Sequence, residues 1–441
     1  MSLAVLGFLM IGVFMVLVMS RRMTAVPALF IVPLVFSFLA GSGTATGTYM
    51  MEGITQVATT AVMLLFAILY FGIMIDAGLF EPLVKRITGW VGDDPGRATV
   101  GHAALASAVG LDGDGTTTAL VGASSMLPVY RRLGMNVMVF AVVGSLSFII
   151  MNMSPWGGPA ARVAASLHID PSELFVPMLP VAATGLGFVF LLAAWFGRRE
   201  RKRLATTSTA KAGSDASDLD SVRIAEIFQA DPAALRPEMI WFNLLLTLAL
   251  MALVVVRAAP MVVLFLGGLA IALIVNYPRI EDQRARLTAH SGNALSVAVM
   301  VLAAGSFTGV MTGTGMIDAM AKSIIDVLPP ALGPYLGVIT ALLSIPMNFF
   351  LSSDAFYFGV VPILAETAGH YGISPEEIGR ASLLGQPMHT LSPIVAAVYL
   401  KCALLGIELG DLQRFAWKYA LMLCFVLIGA ALLFGVIPFA A

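Results

Sequence analysis

Residues 110–124 read GLDGDGTTTALVGAS. Asp112 and Asp114 stand among glycines, Thr116, Thr117 and Thr118 follow, and the flanking sequence is apolar enough to sit in lipid. An ionisable side chain at membrane depth is costly and by default marks an ion or substrate pathway. Glycine-rich backbone is tolerated there only where it is buried in protein or lines a water-filled cavity. A second stretch, FFLSSDAFYFG at 349–359, has the same character. The fold turns on whether the two belong together.

The rest of the chain sets the solvent. Of 441 residues, 59% are hydrophobic and only 12% charged, against about 25% charged in soluble domains. An all-α polytopic membrane protein follows, and nothing points to nucleic acid. Cys402 and Cys424 lie in apolar segments and read as packing residues, not as a disulfide or a metal site. Residues 1–20 carry no charged n-region and cleavage motif, so they read as a retained span.

A span needs about 20 mainly apolar residues. Stretches 3–19, 24–40 and 57–75 qualify, with 41–56 as an intervening loop free of Lys and Arg. Basic residues favour cytoplasmic loops, which puts Arg21, Arg22, Lys85 and Arg86 inside and both termini outside. Residues 99–129 are apolar but broken at the Asp-Gly cluster, and Arg131 and Arg132 follow. The chain has returned to the side it left, as a re-entrant hairpin does. Residues 136–167 form a span broken at Asn152, Ser154, Pro155, Gly157, Gly158 and Pro159, and 175–196 comes back to the basic run 198–203. Residues 204–238 are polar and read as a cytoplasmic linker.

The second half repeats the plan: spans at 239–256, 261–276 and 295–316, a hairpin over 339–364 broken at Ser352, Ser353 and Asp354, a broken span at 378–400 and a last span at 414–437. Lys401 marks the inside end of the broken span. Gly72, Met74, Gly78, Lys85 and Ile87 recur as Gly309, Met311, Gly315, Lys322 and Ile324 at a constant offset of 237 residues (72 to 309). Ser154-Pro155 recurs as Ser392-Pro393, and Asp114 falls near Asp354. Each half, 1–203 and 239–441, then holds five crossings and one hairpin. Five is odd, so the halves are inverted across the membrane. Inverted repeats with broken helices are the sequence pointer to a secondary transporter with a site at their midplane.

The chemistry of the breaks follows. Half-helices beginning near Gly115, Thr116 and Ala355 offer free N–H groups and a positive dipole end to a carboxylate. Thr116, Thr117, Ser352 and Ser353 add hydroxyl groups. Unwound backbone at Asn152–Ser154 and Thr390–Ser392 offers oxygen ligands, and Asp112, Asp114 and Asp354 add charge suited to a hard cation or a proton. His389 is the one histidine deep in a break and suits a proton carrier. Arg162, just beyond a break, is placed to meet an anionic substrate. The plainer alternatives stay open: Asp112 capping its turn, the threonines capping a helix, His389 structural, Arg162 snorkelling to the outer surface, and His102 and His290 near surfaces. Two membrane aspartates also admit an intramembrane aspartyl protease. Gly110 and Asp114 are spaced wrongly for its Gly-x-Gly-Asp signature, and the repeat would have no purpose there.

The opening LAVLGFLMIGVFMVLVMSRRMTA, the GLDGDGTTT and LSSDAFYFG hairpins and the GQPMHTLSPIVAA break together resemble the CitMHS family of citrate–divalent metal:proton symporters, of the ion transporter superfamily. The resemblance covers nearly all of the chain except the linker. It implies uptake of citrate complexed with a divalent metal such as magnesium or calcium, coupled to protons, across the plasma membrane, with the metal as cargo and no resident cofactor. It also implies an elevator mechanism in a homodimer: scaffold parts 1–56 and 239–294, transport parts 57–203 and 295–441. Related dicarboxylate carriers have Ser-Asn-Thr at each hairpin tip. Here Asp114-Gly115-Thr116 and Ser353-Asp354-Ala355 stand instead, which argues against the sodium-coupled di- or tricarboxylate alternative.

Overall fold

The computed structural model describes residues 2–20, 22–207 and 233–441. Arg21 and most of the expected linker, 208–232, lie outside the described residues. All regular structure among the described residues is helical. The first half runs α1 (Leu3–Met19), α2 (Ala25–Leu39), α3 (Ala45–Asp76), α4 (Glu81–Val91), α5 (Pro95–Val109), α6 (Gly115–Ser125), α7 (Leu127–Arg132), α8 (Val137–Met151), α9 (Gly158–Leu167) and α10 (Pro171–Thr207). The second runs α11 (Ile240–Val255), α12 (Met261–Asn276), α13 (Ile280–Gly313), α14 (Met316–Val327), α15 (Leu336–Phe350), α16 (Val361–Gly369), α17 (Pro375–Leu383), α18 (Gln386–His389), α19 (Ala396–Leu405) and α20 (Leu409–Leu433).

Helix lengths recur between the halves. α3 and α13 have 32 and 34 residues, α4 and α14 have 11 and 12, and α5 and α15 have 15 each. Six helical stretches are long and apolar enough to cross a membrane: Ala45–Asp76, Pro171–Thr206, Pro237–Val255, Ile280–Gly313, Pro330–Phe350 and Leu409–Leu433. Shorter apolar helices include α1, α2, α8 and α12.

Two expectations about element ends are corrected. Residues 45–56 are helical, not loop, because polar Thr55 and Gln56 can ride on the exposed face of α3. At 1.5 Å per residue α3 is about 48 Å long, well beyond a 30 Å hydrocarbon layer, so its first turns need not be apolar. Residues 204–207, expected in the linker, continue α10.

Buried side chains form two clusters. One joins α1, α2 and α3 to α11, α12, α13 and α14, with Phe14 and Phe307 rings 5.2 Å apart. Its centre is the crossing of α3 and α13, where small residues let backbones touch. A Cβ on Gly53 would lie 2.7 Å from the Gly309 Cα. The other cluster joins α5, α8 and α10 to α15, α17, α19 and α20, with Phe196 against Tyr419 at 4.9 Å. At its edge Asp94 caps α5 and meets Arg201 of α10 at 2.5 Å. Burial alone would raise the Asp94 carboxyl, but the Arg201 guanidinium and the Gly96 N–H outweigh it and hold it below the usual carboxylate range.

Trp156 of the first break, Ala161 and Ala165 of α9, and Ala355, Phe358 and Ile363 of the second hairpin's returning arm bury in the first cluster. They form the seam between the two. The expected boundaries at 56/57 and 294/295 fall inside α3 and α13, whose buried faces both belong to the first cluster.

Candidate functional site

Both hairpins turn within a few residues. α5 closes through a 3-10 turn, Gly110–Asp112, and Gly113 at φ +79° reverses the chain. That left-handed conformation is open to glycine at little cost. Asp112 is buried, and its Oδ1 accepts from the Asp114 N–H at 2.8 Å, capping the turn. Asp114 then caps α6. Its Oδ1 accepts from Thr116 N at 2.9 Å, and its Oδ2 accepts from Thr117 N at 3.2 Å and Thr117 Oγ1 at 2.6 Å. The threonines are therefore donors to the cap, not the cap itself. In the Asn152 break, Trp156 Nε1 donates to Leu111 O at 2.6 Å and ties the break to the turn.

The second tip is built differently. Ser352 Oγ accepts from Ala355 N at 3.2 Å, and the returning segment Ala355–Val360 is a π-helix before α16 begins. Such π turns are frequent at functional sites. Asp354 makes no cap hydrogen bond. Its Oδ1 instead accepts from Arg162 Nε of α9 at 2.7 Å, both side chains largely buried. Arg162 also donates to Gly158 O at 2.9 Å and contacts Met300 Sδ. It thus points into the protein, which corrects the expectation of a snorkelling surface arginine. The structure favours this because Asp354 supplies a counter-charge at depth.

Between the tips lies a cavity of about 250 Å³. Gly113 and Gly115 from the first tip, Ser353 from the second, Asn152 and Arg162 from one break and His389, Thr390 and Lys401 from the other all line it. His389 Nδ1 lies 3.0 Å from the Asn348 carbonyl oxygen. A carbonyl only accepts, so Nδ1 carries a proton, and in the neutral ring Nε2 accepts from Ser353 Oγ at 3.3 Å. Behind it Asn348 Oδ1 accepts from Gln386 Nε2 at 2.7 Å and from Tyr357 Oη at 3.2 Å. This buried network fixes the second tip against the break.

Of the residues singled out in the sequence, the structure brings Gly115, Asn152, Ser353, His389 and Thr390 to the cavity wall. Asn152 Oδ1 and Ser154 Oγ are buried without a partner, and Thr390 Oγ1 donates to Pro387 O at 2.8 Å. Thr116, Thr117, Ser154, Ser352, Ser392, Asp112, Asp114 and Asp354 are not in the wall. Ser392 is buried and accepts from Ile394 N at 3.4 Å. Among the described residues no three His, Cys, Asp or Glu side chains gather as a metal-binding set.

Three charged or titratable residues sit where the sequence reading did not put them. Lys401 lines the cavity and donates to Ser145 Oγ of α8, so it does not mark a membrane edge. The signal was there: six residues of α19 up to Lys401 cover about 9 Å, far short of a surface. His102 is buried and stacks on Phe140 at 4.1 Å. His290 pairs with Asp76 at 2.8 Å, beside Arg286, inside the α3–α13 contact.

Comparison with known proteins gives one consistent picture. The family model CitMHS, described as citrate transporter, matches residues 9–385. A Bacillus subtilis (strain 168) protein named citrate transporter is 50% identical over 99% of this chain and 100% of its own length. Another from the same organism, named Mg(2+)/citrate complex secondary transporter, is 45% identical over 99% of each chain. Among solved structures, the YdaH transporter of Alcanivorax borkumensis aligns at TM-score 0.52 and 15% identity, over 91% of this chain and 90% of that one. Neisseria gonorrhoeae MtrF aligns at TM-score 0.54 and 16% identity, over 88% and 83%. At such identities the likeness speaks for the fold alone.

Proposed function

This chain belongs to the CitMHS family of citrate transporters, integral membrane proteins and not enzymes, and from that premise we propose that it takes up citrate as a complex with a divalent metal, coupled to protons. The observation that carries this is the shared cavity: both hairpin tips and both helix breaks meet at one site of about 250 Å³. A volume at the small end of ligand pockets suits a small acid.

Charge supports the metal complex over bare citrate. Arg162 lines the cavity, but Asp354 behind the wall neutralises it. Asp114 adds negative charge at the first tip and would repel a trianion, while Asp112 is buried in the turn. A divalent ion reduces citrate to a monoanion. Of the metal's candidate oxygen ligands, the unpartnered Asn152 Oδ1 belongs to a wall residue, while Ser154 Oγ and Asp114, which keeps about one acceptor site beyond its three donors, lie just outside the wall and reach the metal only if the first tip or the break shifts on binding. The carboxylates face Gly115 at the α6 N-terminus, Ser353 and Thr390 in the wall, with Thr116 next in line behind Gly115. His389, with one nitrogen on Ser353, and Asp354 are the proton carriers in this reading. Ser352, Thr117 and Ser392 shape the tips and break around them.

The same reading takes the halves as inverted repeats, supported by their matched helix lengths, with each hairpin re-entrant. The cluster holding α5–α10 and α15–α20 moves as the transport part past the cluster holding α1–α3 and α11–α14. The seam of Trp156, Ala161, Ala165, Ala355, Phe358 and Ile363 is the sliding surface. Plasma-membrane location, outside termini, a cytoplasmic linker and a homodimer complete the proposal on the family resemblance.

Labelled-citrate uptake in proteoliposomes, with imposed pH or sodium gradients and a panel of divalent metals, tests it. Uptake should need the metal and follow the proton gradient. Uptake that ignores metal and follows sodium overturns the reading.

A further inference from the structure

Arg162 and Lys401 hold comparable places. Each lies shortly after a Ser-Pro break, eight residues past Ser154 and nine past Ser392, near the middle of α9 and α19 respectively. Each helix packs against the hairpin of the other half: α9 on the second tip, α19 on α6 of the first. Arg162 has its carboxylate, Asp354. By the same logic the partner of Lys401 would be Asp114, yet Asp114 is taken up by Thr116 and Thr117 of its own helix.

Lys401 therefore has no carboxylate within ion-pair distance among the described residues. It bonds a neutral hydroxyl, Ser145 Oγ, which itself donates to Ala141 O at 2.6 Å. An ammonium has three donors, and one is used. Lys401 lines both the cavity between the tips and a smaller pocket of about 30 Å³ behind it, walled by His102, Thr118, Gly144 and Ser145. That pocket is large enough for one water. A lysine stem is flexible, so rotation carries the ammonium from the pocket to the cavity without backbone change.

The geometry points to Lys401 as the cationic anchor for a carboxylate of the transported anion, held on Ser145 until cargo arrives. The assignment rests on the reading of the cavity as the citrate site and deepens it. One uncancelled positive charge matches one net negative charge on a metal–citrate complex. It also explains why Asp114 is tied to its own helix: a free Asp114 would compete with cargo for the same cation.

The test is labelled-citrate uptake with magnesium in proteoliposomes containing the full chain as wild type, Lys401→Gln, Lys401→Arg or Ser145→Ala. Thermal denaturation confirms that each variant is folded. Lys401→Gln should raise KM roughly tenfold or more, the scale of a charge-assisted hydrogen bond, with a smaller change in kcat. Lys401→Arg should restore KM to within about threefold. Ser145→Ala frees the lysine and should leave KM unchanged or lower. A folded Lys401→Gln carrier with wild-type KM overturns the assignment. So does Ser145→Ala raising KM as far as Lys401→Gln, which would make the pair structural. If the wild type ignores metal–citrate but carries a free di- or tricarboxylate, the cargo proposal fails. The same variants are then read on that acid, and an unchanged KM for Lys401→Gln still rejects Lys401.

Discussion

The two hairpin tips carry an aspartate at matched places and use it in opposite ways. Asp114 folds back onto its own helix, where both oxygens take donors from Thr116 and Thr117. Asp354 does not cap its own helix, where Ser352 takes the Ala355 N–H, and reaches Arg162 in the other half of the chain. The side-chain contacts of Asp114 are thus local, all within residues 114–117, although Trp156 ties the turn to the distant break. The second tip is set from a distance, and α9 and that tip must move together or lose a buried ion pair. An aspartate stands immediately before the returning helix at both tips, and the surroundings decide what each carboxylate does.

The largest effect should follow from breaking the long-range pair. Asp354→Asn leaves Arg162 buried without a counter-charge, and breaking such a pair costs about 3–5 kcal/mol. The purified variant should show a clearly lowered Tm and uptake reduced by orders of magnitude. Removing both charges, as Arg162→Gln with Asp354→Asn, should recover much of the Tm but not uptake. Equal Tm for Asp354→Asn and wild type would erase the contrast between the tips.

The local tip predicts a smaller and chemically graded response. Asn is as good an N-cap as Asp, whereas Ala costs about 0.5–2 kcal/mol. Asp114→Asn should therefore keep a Tm close to wild type and Asp114→Ala should lose some of it, both less than Asp354→Asn. Uptake by Asp114→Asn then reports the loss of the charge together with one acceptor oxygen. A loss of metal-dependent uptake at unchanged Tm makes Asp114 a ligand, and full uptake makes it only a cap. Equal destabilisation by Asn and Ala would show that capping is not what Asp114 does.

The sequence made the helical breaks legible because glycine, proline and aspartate in an apolar run have few structural meanings in lipid. Residues of both tips and next to both breaks, Gly113, Gly115, Ser353, Asn152 and Thr390, line one cavity, while the Ser-Pro pairs themselves stay out of its wall. Long-range pairing was not legible. Arg162 and Lys401 each read as an edge marker, because a cation near the end of an apolar run is usually at the surface. What turned them inward was the break itself: it starts a new helix at depth, so residues soon after it cannot have reached water. Helix ends were misread for a related reason. Residues 45–56 and 204–207 are polar enough for a loop, but helices longer than the bilayer continue past it.

The finest distinction concerns Thr117, whose hydroxyl donates to Asp114 Oδ2 at 2.6 Å. Thr117→Val keeps the side-chain shape and removes that one donor. The backbone N–H groups of Thr116 and Thr117 still cap through Asp114, so the stability loss should be about 1 kcal/mol, read as a small drop in Tm. The functional effect runs through Lys401. With one donor fewer, Asp114 is held less tightly and competes better for the ammonium on α19. KM for metal–citrate should rise about two- to threefold, while Lys401→Gln in the same background should show no further dependence on residue 117. Additive effects of the two substitutions would mean that Asp114 and Lys401 do not sense each other, and the first tip would be purely local after all.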